Sequence, residues 1–139
     1  MENDLNRFVK AQENDYKQAL TEIKSGRKRS HWMWYVFPQF KGLGYSDISK
    51  FYAIQNLHEA IEYLNHPILG SRLIEITNEL NLLHENDANK IFGSPDDLKL
   101  KSSMTLFSFI DRSKEMPFKK VIEKYFNGKF DNKTLNLLK

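Results

Sequence analysis

Cysteine is absent from this 139-residue chain. That excludes a disulfide framework, a thiol nucleophile and a zinc site built on Cys ligands. Uninterrupted apolar runs of bilayer length are also lacking, so no spanning segment and no membrane partner are expected. Met1–Arg7 is polar and carries both charge signs, with no apolar run after it, unlike a secretory signal. The cytoplasm is the expected location. Glycine and proline are scarce, with six and four residues, so each one punctuates the chain.

What is present is a globular balance. Hydrophobic residues make up 40% and charged residues 28%, which separates the chain from disordered sequences. The length suits one domain over residues 1–139, because two would each have too small a core. The net charge is only +3, but it is unevenly spread. Ile23–Ser46 holds five cations and no acid, while Asp47–Asp87 holds seven acids and two cations. A local block of this kind attracts anions more than the overall charge does.

Apolar spacing is helical from end to end, which predicts an all-α compact bundle of about six to eight short helices. Leu5, Phe8 and Val9 suggest a short first helix. Tyr16, Ala19, Leu20 and Ile23 suggest a second, stopped by Gly26. Ser46 or Asp47 caps a helix carrying Ile48, Phe51 and Tyr52. Another follows Asn56 and is interrupted at His66-Pro67. Leu69, Leu73, Ile76, Leu80 and Leu83 form the clearest amphipathic stripe. Asp87–Phe92 adds a turn before Gly93, and Ser94-Pro95-Asp96-Asp97 opens a helix with Ser94 as cap and Pro95 in first position. Pro117 and Asp131 open the last two. Trp32–Phe37 is a continuous apolar run that suits either a buried strand or a buried helical turn capped by Ser30. No second strand pairs with it, so it reads as a short buried helix or irregular core segment.

Two segments carry unusual chemistry. Arg27, Lys28, Arg29, Ser30, His31, Trp32 and Trp34 place three cations beside a hydroxyl, an imidazole and two indoles, with Gln39 a few residues on. Cationic side chains grip phosphate oxygens, and indoles stack on flat rings. The structural alternative is a core pair of tryptophans beside a solvated cationic turn. The second segment contains Asp97, Lys99, Ser102 and Ser103 at a helix start. Helix N-termini bind anions, but Asp96 and Asp97 already occupy this one. There the structural alternative is capping, with small hydroxyl residues that let helices approach.

Cofactor patterns are missing. Gly42-Leu43-Gly44 has no preceding strand and no third glycine, and no Walker loop or nucleophile elbow appears. His31, His58, His66 and His84 lack ligand spacing, so no cofactor or metal is expected. The leading reading is a module that binds a phosphorylated or nucleotide-like small molecule. Competing readings are a hydrolase-type enzyme on such a ligand with His31 and Asp97 as acid–base pair, a single-stranded nucleic acid binder, and a protein-interaction accessory domain.

The run Gly26–Gln39, with Gly42-Leu43-Gly44, Tyr63-Leu64, His66-Pro67, Leu69-Gly70, Ile91-Phe92-Gly93, Asp97–Leu100 and Ser102–Phe107, resembles the bacterial domain-of-unknown-function family 1810. The resemblance spans about Leu5 to Leu138. It implies a compact all-α domain and assigns no catalytic residue. Some members carry the label calpastatin. An inhibitor of that kind would be a flexible polar chain, whereas this composition folds.

Overall fold

A computed structural model describes residues 4–113 and 115–139. Residues 1–3, the start of the polar opening segment, lie outside the described residues, as does Lys114. Nine helices occur among the described residues: α1 (Asn6–Lys24), α2 (Met33–Val36), α3 (Asp47–Phe51), α4 (Leu57–Asn65), α5 (Leu69–Leu82), α6 (Ala88–Phe92), α7 (Asp96–Ile110), α8 (Phe118–Phe126) and α9 (Asn132–Leu138). The fold is all-α, as the helical spacing predicts, and six of the helices have seven residues or more.

The first two expected helices are one. Phe8, Gln12, Tyr16, Ala19 and Ile23 all face inward along α1. Gln12 occupies the inward position between Phe8 and Tyr16, so the apolar pattern breaks while the helix continues. Its amide is satisfied inside, donating to the Tyr35 carbonyl at 2.7 Å and lying 3.0 Å from the Tyr63 hydroxyl. Two caps also differ from expectation. Ser94 does not cap α7, because Pro95 holds the N-cap position without a side-chain bond. Ser30 does not cap α2, whose N-cap is Trp32. Ser46, Asn56 and Asp131 do cap α3, α4 and α9, each accepting from a backbone N–H in the first turn.

Helix α7 is the centre. It packs on α4, α6, α8 and α9, and every residue from Ser102 to Ser108 is buried. A helix covered all round needs small side chains where neighbours come close, and Ser102, Ser103, Thr105 and Ser108 provide them. Ser102 and Thr105 return their hydroxyls to the carbonyls of Leu98 and Lys101.

Two charges on α1 are buried, one near each end. At the start, Arg7 is 5% exposed and Glu59 8%. Arg7 Nη1 and Nη2 meet the Glu59 carboxylate at 3.0 and 2.9 Å. The remaining N–H groups donate to the carbonyls of Asp4, Phe51 and Ala53 at 2.6–2.8 Å. All five guanidinium donors are therefore used. Near the other end, Glu22 accepts from the Arg29 and Ser30 backbone N–H groups, the Ser30 hydroxyl and the Trp32 indole N–H. Burial alone would raise its pKa. The four hydrogen bonds outweigh that and hold it at about 2, against an ordinary 4.5.

Two predictions follow from these anchors. Arg7→Ala leaves Glu59 buried without its partner and should cost about 3–5 kcal/mol in urea unfolding. A loss under about 1 kcal/mol would show that the pair is dispensable. For Glu22, the folded pKa lies below the unfolded one, so its stabilisation is present above about pH 4.5 and is lost as pH falls towards 2. The stability gap between wild type and Glu22→Gln should therefore shrink over that window. A gap constant from pH 6 to pH 2.5 would refute the charged role.

Candidate functional site

The Glu22 hub fixes the chain between α1 and α2, and this decides where the two indoles go. Trp32 is 1% exposed, packs on Phe37 and Phe92 and gives its N–H to Glu22. It is a core residue with no free face for a ligand. Trp34, two positions on along α2, is only half-buried and lies on the wall of an open cleft of about 420 Å³.

That cleft brings the two chemically unusual segments together. Trp34 and Gln39 come from the first, and Lys99 and Ser102 of α7 come from the second. The link is ionic. Lys28 Nζ lies 2.8 Å from Asp96 Oδ2, and Lys99 Nζ lies 3.4 Å from Asp96 Oδ1. The Lys99 ammonium in turn sits 4.5 Å from the Trp34 ring centroid. Lys28 also donates its backbone N–H to the Ile91 carbonyl at 2.7 Å.

The remaining wall comes from places without a conspicuous sequence signal. Tyr45 is 77% exposed, and the Lys133 ammonium lies 6.0 Å from its ring. Gly44 stands beside it, with its backbone so close to Ser49 that a Cβ would meet the Ser49 Oγ at 2.5 Å. Leu98 adds an exposed apolar edge. Asp131 is the one acid among the described residues lining this cleft. Its Oδ2 already accepts from the Ser102 hydroxyl and from both the N–H and the hydroxyl of Thr134. These neutral donors satisfy that oxygen without cancelling its charge, so the ionisable side chains on the wall are Lys99, Lys133 and Asp131.

The loop is held from behind. Ile54 donates to the Gln39 carbonyl at 2.8 Å, and Lys41 donates to the Ile54 carbonyl at 2.9 Å. This bridge ties residues 39–41 to the segment that Arg7 grips through Phe51 and Ala53.

Other residues singled out from the sequence stand elsewhere. Arg27, Arg29 and His31 are exposed and do not line this cleft. Arg29 borders a separate shallow groove along α1 with Lys17 and Thr21. Ser30 is spent on Glu22 and Gln18. Lys28 acts through Asp96 rather than on the cleft. Asp97 accepts from the Leu98 backbone N–H and the Asn89 amide, outside the cleft. Ser103 is fully buried, and its hydroxyl has no hydrogen-bond partner among the described residues. The cations that line the cleft are Lys99 and Lys133. The second of these was not anticipated. Tyr45 is legible in retrospect as an aromatic in a glycine-punctuated loop with no helical partner spacing.

Among the described residues, no helix is long and apolar enough to cross a membrane, and no group of three or more metal-ligating side chains occurs. No curated protein matches the chain. The chain is similar to a conserved hypothetical protein, Rv1873 from Mycobacterium tuberculosis, whose crystal structure shares 46% sequence identity with a TM-score of 0.94. That match covers 98% of this chain and 96% of the other. Residues 2–138 match the model of a family described as proteins of unknown function, DUF1810, and the chain belongs to that family.

Proposed function

We propose that the Trp34 cleft binds a phosphorylated, nucleotide-like small molecule in the cytoplasm. The observation that carries this reading is the half-buried Trp34 ring with the Lys99 ammonium held 4.5 Å from its centroid, inside a cleft of about 420 Å³. A flat ring stacks on Trp34, and the phosphate takes Lys99 and Lys133. Gln39 offers an amide to a base edge, and Leu98 covers the ring from the side.

Energetics favour exchange. A partly exposed cation–π contact is worth about 0.5–1 kcal/mol. The Lys99–Asp96 contact is long, at 3.4 Å, and only partly buried, and adds about as little. A charge-assisted bond from ammonium to phosphate is roughly twice as strong as a neutral one, and stacking a base contributes about 1–3 kcal/mol. Lys99 therefore gains by leaving the ring to the base and turning to phosphate, while Asp96 keeps its bond to Lys28.

The test is a thermal-shift panel at low salt with nucleotides, sugar phosphates, inorganic phosphate and short RNA. A ligand at about a hundred times its dissociation constant should add about 2.7 kcal/mol of stability. For a nucleotide that scores, Trp34→Ala should weaken binding by about 5- to 100-fold and Lys99→Gln by about tenfold. Arg27→Ala and Arg29→Ala should leave affinity unchanged. A flat panel, or loss of binding in the Arg27 variant with Trp34→Ala silent, would reject the cleft as the site.

A further inference from the structure

We infer that a second cleft, on the far side of the Gly44–Tyr45 ridge, takes the distal half of the same ligand. The ligand is thereby a nucleoside diphosphate carrying a sugar, not a mononucleotide. The inference rests on the nucleotide reading of the Trp34 cleft and extends it.

The second cleft measures about 410 Å³, close to the first in size. Its polar wall is Lys41, Lys50 and Gln55, with Ala53 at its base, and no acid is among the described residues lining it. Gly44 and Tyr45 belong to both clefts. Between them lies a narrow gap bordered by Trp34, Gln39, Gly44 and Ala53, with about 10 Å³ of space. That is room for about one water at most, so a ligand cannot thread it and has to pass over the ridge.

Charge placement then selects the ligand. Lys99 and Lys133 stand on one side of the ridge, and Lys41 and Lys50 on the other. A monophosphate sits in one cleft and leaves the second pair of cations unanswered. A ligand that uses both has its anionic centre in the middle and a bulky group at each end. A diphosphate between a nucleoside and a sugar has that form. Gly44 lets the ridge pass close to Ser49, because a Cβ there would meet the Ser49 Oγ at 2.5 Å. The aromatic end goes to Trp34. The other end meets no indole but finds the Gln55 amide, whose N–H already donates to the Ala53 carbonyl at 2.9 Å. Its oxygen accepts from a sugar hydroxyl. The backbone beneath is fixed independently of the lysine side chains, through the Ile54 bridge and the Glu59 bond to the Gln55 N–H.

The experiment is calorimetric titration of two matched pairs, AMP against ADP-ribose and UMP against UDP-glucose. Each is run on wild type and on a double variant, Lys41→Gln with Lys50→Gln. Both lysines are exposed, so the variant should unfold at the wild-type temperature. In at least one pair the extended member should bind wild type about tenfold or more tightly than the monophosphate. The double variant should remove that advantage and leave the monophosphate affinity unchanged. Equal affinities within both pairs, or an advantage that survives in the variant, would overturn the second-cleft assignment while the Trp34 site stands. Binding by no member of either pair would overturn the nucleotide reading itself, and this extension with it.

Discussion

The buried pair of Arg7 and Glu59 is the constraint on which the cleft depends. A buried ion pair is seldom a net gain over apolar packing of the same volume, because desolvation offsets much of the attraction. Here the guanidinium does more than pair. It satisfies the carbonyls of Asp4, Phe51 and Ala53, which no apolar side chain would do. These carbonyls are only part-buried, so the guanidinium acts on them chiefly by joining three separate stretches of chain. At the end of α3, Arg7 takes the Phe51 and Ala53 carbonyls and Glu59 takes the Gln55 N–H. That segment is the support on which residues 39–41 are bridged, and those residues begin the ridge that both clefts share.

Glu22 plays the matching part near the other end of α1. The segment between Gly26 and Met33 is cationic and irregular, with little apolar content of its own to hold it. One carboxylate collects three donors from Arg29 and Ser30 and one from Trp32. With Trp32 fixed inward, the helical turn of α2 sets the direction of Trp34. The α1 helix thus acts as a spine whose two buried charges position two irregular segments, one leading into Trp34 and the other bridged to residues 39–41, which adjoin the cleft.

The helices were largely legible in the sequence because apolar periodicity and cap residues both act over short distances. Ser46 and Asp131 cap where their neighbours say they should. Failures came where a polar residue was buried by distant partners. Gln12 hid the continuity of α1, since its amide is matched by Tyr35 and Tyr63, 23 and 51 positions away. Arg7, Glu22 and Glu59 read as ordinary surface charges for the same reason. Within the candidate site, residue types were legible and positions were not. A basic–aromatic segment pointed to Trp34 and Gln39, but it also offered Arg27, Arg29 and Trp32. Only the packing of α1 against the next turn separates the indole that is buried from the one on the cleft. Lys133 and Tyr45 arrive from α9 and the ridge, which no local pattern joins to α2.

The start of α7 places two acids at a helix end that would otherwise favour anions. Asp96 and Asp97 fill the first turn, and two carboxylates at a helix N-terminus repel a phosphate. Asp96 nonetheless serves the cleft, because its charge is answered twice. Lys28 meets one oxygen with its side chain nearly buried, and Lys99 meets the other while staying partly exposed. Lys28 is committed, and Lys99 is held but exchangeable. The acid thereby keeps the Lys99 ammonium beside Trp34, where an unheld lysine would spread over many rotamers. What looks like repulsion in the sequence is, in the fold, a tether that holds the Lys99 ammonium beside the Trp34 ring.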